Sequence, residues 1–294
     1  MNELTRAGVI YSGYQKAQVR IENIVWEIEK IGVPVSEAEF KRLKNLQSQL
    51  DQTTKQLERM GQKTIPKGIN AAYRNIQLEY ADAITDVLPA DMQFKASFST
   101  IDQQKVIIYA DQIITDLNDA TRGATKRVNN IIRRTALLGE TDAKITQELQ
   151  TSQIAGESIR QMAGVVSKII QQEIGKNKGV VVVRGKDGIT RRYRLDKYAE
   201  TVVRTRTREV ATAAVKQTMS QASEKLGVDP IVEITRHADE SDICKGWLNN
   251  SVNNRFALVP NHPIYPYFDT AGGGGPPWHP NCIHVTTPYI PDDF

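Results

Sequence analysis

The chain has 294 residues, of which 40% are hydrophobic and 24% charged, enough for one large domain or two ordinary domains with a sizeable core. A net charge of +4 and a mean hydropathy of −0.42 indicate a well-solvated protein, and no apolar run approaches the roughly 18 residues of a membrane-spanning helix. The N-terminal residues lack the pattern of a secretory signal, and two cysteines are too few for a disulfide scaffold, so a reducing compartment is expected.

Apolar residues spaced alternately by three and four predict long helices in the first 175 residues. The predicted helices cover residues 1–31, 36–61, 69–89 and 100–138, and a fifth runs from about 141 to 174. The first has the most regular seam: Ala7, Ile10, Tyr14, Ala17, Ile21, Ile24, Ile28 and Ile31. Helices with such narrow seams pack as antiparallel bundles or coiled-coil hairpins.

Turn and cap residues set the predicted helix ends. Ser36 and Glu39 have the spacing of a capping box, which opens the second helix. Gly61 is predicted to end that helix, and Gly139 is predicted to end the fourth. The predicted apolar seam of the third helix ends at Val87, and that of the fourth helix begins at Ile107.

The pattern changes near Gly175, from a helical period to a period of two. Residues 180–184 and 189–195 flank a Gly-Lys-Asp-Gly turn and predict a β-hairpin. A helix over 197–226 and a strand over 231–237 follow, and the rest is rich in loops. The predicted fold is therefore mainly α, with a helical bundle or coiled-coil region at 1–175 and a small α+β module at 176–294.

Basic charge is concentrated in residues 184–208, where nine Lys and Arg oppose three Asp and Glu for a net charge of +6. The last 58 residues have a net charge of −4. A basic patch can hold nucleic-acid phosphates, and the alternatives are a solvated face or an internal contact with the acidic tail. The candidate phosphate ligands are Arg184, Lys186, Arg191, Arg192 and Arg194.

All four histidines and both cysteines also lie in the last 58 residues. Thiolate and neutral imidazole are the ligands that zinc prefers. Cys244, Cys282 and His284 would supply three of them, with His279 or His237 as the fourth. The spacing is not that of a standard zinc finger, because no C-x-x-C motif is present. A zinc cofactor is thus one interpretation, and buried reduced cysteines or a disulfide are the others.

Two stretches resemble a known family. Residues 191–205 read Arg-Arg-Tyr-Arg-Leu-Asp-Lys-Tyr-Ala-Glu-Thr-Val-Val-Arg-Thr, and residues 276–289 read Pro-Pro-Trp-His-Pro-Asn-Cys-Ile-His-Val-Thr-Thr-Pro-Tyr. Together they resemble the minor capsid, or head morphogenesis, proteins of tailed phages, of the Mu type and the minor capsid protein 2 type. The resemblance covers residues 179–290. It marks as structural motif residues Tyr198, Arg204, Pro280 and Cys282.

The sequence departs from this family at two positions. Many relatives have a C-x-x-C pair in the central loop, where this chain has Ser241 and Cys244. Many also have a cysteine two residues after the closing one, where this chain has His284. These departures weaken a four-thiolate metal site. They leave Cys244, Cys282 and His284 as the expected pairing.

The resemblance implies a virion component without catalytic activity, associated with the portal vertex and acting in head assembly in the bacterial host cytoplasm. Its implied partners are the portal protein, other capsid proteins and phage DNA, with no membrane insertion. The alternative is a metal-dependent nuclease or toxin-like enzyme that acts through the C-terminal His/Cys module. Against the enzyme, the chain has no Ser/His/Asp order, paired catalytic carboxylates or nucleotide loop. A third class is a coiled-coil adaptor unrelated to phage.

Overall fold

The computed structural model describes residues 3–31, 35–149, 180–184, 189–238, 240–271, 275–279 and 282–290. Within these ranges the chain forms five α-helices, five β-strands and one 3-10 helix. The predicted fold class, mainly α with small sheets near the C-terminus, is confirmed. None of the helices in the described ranges has the length and apolar character needed to cross a membrane.

The helices are α1 (Glu3–Glu29), α2 (Glu37–Val87), α3 (Thr100–Leu149), α4 (Leu195–Leu226) and α5 (Asp242–Leu248). The strands are β1 (Val180–Arg184), β2 (Thr190–Arg194), β3 (Ile231–Ile234), β4 (Arg255–Ala257) and β5 (Thr286–Tyr289). The 3-10 helix covers Phe268–Thr270.

The predicted seam of α1 is buried. Its residues from Ile10 to Ile31 are each at most 8% exposed, whereas Val19 and Trp26 on the other side of the helix are about half exposed. The helix therefore turns one narrow apolar stripe to the core and leaves the rest to solvent.

One continuous helix, α2, replaces the two predicted helices, so the predicted break at Gly61 is wrong. Gly61 is buried, and Ile65 and Ile69 continue the buried stripe from Leu57. Pro66 also lies inside the helix without ending it. In a helix interior, Gly costs about 1 kcal/mol and Pro about 3 kcal/mol relative to Ala. Burial of the isoleucine side chains offsets these costs.

The predicted end of the fourth helix at Gly139 is also wrong, because α3 continues to Leu149. A single glycine inside a long helix costs about 1 kcal/mol, which does not terminate the helix by itself. The predicted fifth helix lies outside the described residues from position 150 onward.

The predicted seams lose their phase at two helix ends. In α2, Ala81 and Ile84 are buried, whereas the predicted Val87 is 61% exposed. In α3, Val106 is buried and the predicted Ile107 is 59% exposed. A straight helix has 3.6 residues per turn, so a strict seven-residue pattern drifts around it by about 20° per repeat. The predicted residues have therefore rotated away from the core.

Capping boxes open the two longest helices. At α2, as predicted, the Ser36 N–H donates to Glu39 Oε2 over 2.7 Å and the Glu39 N–H donates to Ser36 Oγ over 3.3 Å. At α3, Ser99 and Asp102 repeat the arrangement over 2.7 and 3.2 Å. The buried Asp102 also accepts a 2.7 Å hydrogen bond from the Tyr73 hydroxyl through its second oxygen.

The strands form two antiparallel sheets. β1 and β2 make the predicted hairpin, with Val180 opposite Arg194. The other sheet has the order β4-β3-β5. Because Ile234 of β3 pairs with Thr286 of β5, the chain leaving β3 lies beside the chain entering β5.

By its internal contacts, the chain separates into two compact units. One contains residues 1–7, 63–114 and 201–294, and the other contains residues 8–62 and 115–200. The end of α2, the start of α3 and most of α4 thus share a unit with the three-stranded sheet. The predicted domain boundary at 175/176 lies outside the described residues and stays a prediction.

Candidate metal centre

The pairing of β3 with β5 brings distant parts of the chain together. Just beyond the paired residues, the Thr235 N–H donates to the Val285 carbonyl over 3.0 Å, and the Val285 N–H donates to Thr235 Oγ1 over 3.0 Å. The segment that follows β3 leads into α5, and the segment that precedes β5 carries the closing cysteine and histidines. Cysteines 38 residues apart in sequence can therefore meet at one end of the sheet.

Ser241 positions Cys244. Ser241 is the N-cap of α5, and its hydroxyl oxygen accepts the Cys244 N–H over 3.3 Å. The same hydroxyl donates to the Cys244 sulfur over 3.2 Å. The Cys244 side chain is 0% exposed. The Ser241 hydroxyl thus holds Cys244 in place.

His279 and Cys282 approach Cys244 from the closing segment. His279 Nε2 lies 3.1 Å from Cys244 Sγ. The Cys282 N–H donates to the His279 carbonyl over 2.9 Å, which sets the two side chains on one turn. The ligand atoms of the three residues all lie within 4.8 Å of one another.

His284 adds a second imidazole beside Cys282. Its Nδ1 lies 3.4 Å from Cys282 Sγ, and its Nε2 lies 3.3 Å from Glu240 Oε1. Glu240 in turn accepts the His237 N–H over 3.0 Å and lies 3.7 Å from an Arg236 guanidinium nitrogen. Cys244, His279, Cys282 and His284 are referred to below as the Cys/His cluster.

Contacts with α4 and with Ala271, which directly follows the 3-10 helix, support the closing segment. Thr212 of α4 donates its hydroxyl to the Pro276 carbonyl over 2.8 Å. The Trp278 indole N–H donates to the Ala271 carbonyl over 3.0 Å, and its ring centroid lies 5.4 Å from that of His284.

Burial disfavours the charged forms of Cys244, His279 and His284. It raises the pKa of the Cys244 thiol, as does the neighbouring Cys282 thiol, and it lowers the pKa of His279 and His284. Burial would also raise the pKa of Glu240, but the hydrogen bonds from His237 and His284 outweigh it and lower that pKa. The site therefore presents neutral imidazoles beside an ionised carboxylate.

The structure brings together Cys244, His279 and Cys282 from the predicted metal set and places His284 beside Cys282. Of the predicted motif residues, Tyr198 packs its ring 6.1 Å from Tyr193, and Arg204 lies exposed on α4. Pro280 lies outside the described residues.

Sequence reasoning missed Glu240 and Ser241. The N-cap spacing of Ser241 to Cys244, directly before a short helix, was a usable signal. No local pattern marks Glu240, because its partner His284 is 44 residues away.

The basic hairpin does not gather its charges on one face. On β2, Arg191 alternates with Arg192 and Arg194, so Arg191 lies on the opposite side of the strand. Arg194 is paired with Glu22 at 3.3 Å and Asp196 at 3.2 Å. The side chains of the other two predicted phosphate ligands, Arg184 and Lys186, lie outside the described residues.

These features define a mainly helical protein with a small α+β part that encloses buried thiols and imidazoles. The chain belongs to the phage minor capsid protein 2 family, since the family model described as "Phage minor capsid protein 2" matches residues 14–292. Neither a curated protein nor a solved structure matches the chain. The minor capsid protein 2 resemblance noted in two C-terminal stretches is thereby confirmed and extends through the helical region.

Proposed function

We propose that the protein is a structural component of the phage head, located at the portal vertex, that acts in head assembly. The observation that carries this proposal is the family match over residues 14–292, which includes the long helices as well as the C-terminal module. Family membership supports a virion protein, and the vertex position and assembly role rest on the resemblance to head morphogenesis proteins.

The long helices are consistent with a structural role in head assembly. α2 has 51 residues and α3 has 50, each with one buried apolar stripe. Such helices form a stiff scaffold whose polar sides remain available to other proteins. The partners that we propose are the portal protein and neighbouring capsid proteins.

The geometry of the Cys/His cluster favours a structural role over a catalytic one. A thiol 3.1 Å from an imidazole, as in Cys244 and His279, is an arrangement that nucleophilic enzymes use. In those enzymes the thiol is accessible and its pKa is lowered. Cys244 is fully buried and its pKa is raised by that burial, so it lacks both properties.

Cross-linking of purified phage particles tests the proposed location. Particles would be treated with a lysine-reactive cross-linker and digested, and the linked peptides identified by mass spectrometry. We expect links between this chain and the portal protein. Links confined to major capsid protein distributed over the whole shell would contradict the vertex location.

A nuclease assay tests the enzymatic alternative. The full chain would be incubated with double- and single-stranded DNA in the presence of Mg²⁺, Mn²⁺ or Zn²⁺. The matched control is Cys244→Ala, which removes one side of the thiol–imidazole pair. We expect no cleavage by either protein. Cleavage that requires metal and is lost in the control would overturn the non-catalytic proposal.

A further inference from the structure

We propose that the Cys/His cluster binds one zinc ion through Cys244 Sγ, His279 Nε2, Cys282 Sγ and His284 Nδ1. Two cysteine sulfurs and a histidine nitrogen within 4.8 Å of one another are the right ligand types at nearly the right separations. This inference is independent of the location of the protein in the phage particle.

Two of the observed distances are close to those of tetrahedral coordination. With Zn–S bonds of about 2.3 Å and Zn–N bonds of about 2.0 Å, a sulfur and a nitrogen ligand lie about 3.5 Å apart, two sulfurs about 3.8 Å and two nitrogens about 3.3 Å. The sulfur–nitrogen distances of 3.1 Å for Cys244–His279 and 3.4 Å for Cys282–His284 are both slightly shorter than the sulfur–nitrogen value. The group of ligand atoms within 4.8 Å of one another does not include His284, so its imidazole must move toward Cys244 and His279 to complete the site.

Glu240 supplies an independent indication that His284 is a ligand. Metal-binding histidines usually donate the N–H of their second ring nitrogen to a carboxylate or carbonyl, which fixes the tautomer. Glu240 Oε1 lies 3.3 Å from His284 Nε2, and both side chains are buried. With the proton on Nε2, the lone pair of Nδ1 is directed toward the side of the ring where Cys282 lies. Glu240 is thus a positioning residue for the metal.

Four protein ligands leave no open coordination position, so the proposed ion is structural. It would join α5 to the closing segment just outside the β3–β5 pair. The described residues that precede β5 lie outside regular secondary structure, and a few side-chain hydrogen bonds connect them to α5 and to Glu240 just before it. Metal binding would stabilise this region as it folds.

Metal analysis of the full chain tests the proposal. The protein would be purified without chelator and under reducing conditions, and its zinc measured by inductively coupled plasma mass spectrometry. We expect about one zinc per chain in the wild type and less than about a tenth in Cys282→Ser. The matched control is His262→Gln, a histidine whose Nδ1 accepts backbone N–H groups of Ile264 and Tyr265 outside the cluster. It should retain the wild-type zinc content.

Two further measurements keep the test decisive if Cys282→Ser does not fold. Cobalt(II) added to metal-free wild type should give the intense visible bands of a tetrahedral site and a thiolate charge-transfer band. Glu240→Gln should still bind zinc, with an affinity reduced 10- to 100-fold in a chelator competition assay. A folded wild type with less than about a tenth of a zinc and no cobalt bands would overturn the proposal. A Cys244–Cys282 disulfide in freshly purified protein would do the same.

Discussion

The α1 seam and three of the four cluster residues, Cys244, Cys282 and His284, are buried. The seam is specified by residues close together in the sequence, whereas the cluster is specified by residues far apart. Every buried seam residue of α1 lies three or four positions from the next, so one short stretch of sequence specifies the stripe. Cys244 is at least 35 residues from the other three cluster residues, and the pairing of β3 with β5 brings the two segments together. The helices are thus stabilised by many equivalent apolar contacts, and the cluster depends on a few specific ones.

The largest effect is expected from truncating the seam. Ile21 on α1 is fully buried, so Ile21→Ala should lower the free energy of unfolding by about 2 to 5 kcal/mol through lost burial and a residual cavity. Val19, on the same helix, is half exposed, and Val19→Ala should change stability by less than about 0.5 kcal/mol. Urea denaturation measures both, and equal losses would show that α1 has no single buried face.

Removing the proposed zinc should loosen one region only. Binding at a thousandfold excess over the dissociation constant stabilises a fold by about 4 kcal/mol. In hydrogen exchange after chelator treatment, the amides of residues 235–248 and 282–287 should therefore lose protection, and those of α1 should not. Uniform loss of protection in both regions would mean that the cluster does not act locally.

The next largest loss of stability is expected where the Gly275 backbone lies close to the Phe268 ring. Gly275 has a φ of +92°, and a Cβ there would overlap the ring of the buried Phe268. Gly275→Ala should therefore cost about 2 to 4 kcal/mol from overpacking and backbone strain. At Gly246 of α5 an added Cβ meets no atom within 4 Å, so Gly246→Ala is the control and should be neutral or slightly stabilising. Thermal unfolding distinguishes the two, and similar melting temperatures would contradict this packing.

The pH dependence of stability tests the ionised Asp102 carboxylate in the capping box of α3. Burial would raise the pKa of Asp102, but hydrogen bonds from Tyr73 and Ser99 outweigh it and lower that pKa below 3.8. Its contribution to stability is therefore complete above the unfolded value and is lost as the pH falls through the lowered folded value. Asp102→Asn should be less stable than wild type by about 1 to 3 kcal/mol at pH 7. The difference should shrink below pH 3.8, and a difference independent of pH would contradict an ionised cap.

The smallest effect concerns the prediction from the sequence that the basic hairpin binds DNA. Because Arg191 and Arg192 lie on opposite faces of β2, neither charge reversal should remove a whole phosphate site. Arg192→Glu and Arg191→Glu should each weaken binding to duplex DNA by less than about tenfold, and should lower the slope of affinity against salt by about one. Fluorescence anisotropy at several salt concentrations measures this. A hundredfold loss for one variant alone would show a concentrated site on its face.

The comparison also explains what could be predicted from the sequence. The α1 seam, the Ser36–Glu39 capping box and the hairpin depend on residues close in sequence, and the structure confirms them. The breaks predicted at Gly61 and Gly139 failed because helix continuity there is decided by packing and length, which local propensity does not report.

The sequence indicated which residue types form the candidate site, but it did not indicate which other residues contact them. Only a few residue types bind zinc, so their concentration in the last 58 residues selected the side chains that the structure places near one another. The residues that contact these side chains could not be predicted from residue type alone. Glu240 is one acid among many until the β3–β5 pairing places His284 against it.

Quantitative mass spectrometry of purified particles tests the central claim, that this chain is a structural component of the phage virion, most directly. Heads separated from tails and from soluble lysate would be compared with particles made when the gene is disrupted and then complemented. We expect the chain in the head fraction at a low and constant ratio to the portal protein, and assembly defects when it is missing. A chain that stays in the lysate, with normal particles formed in its absence, would contradict the account.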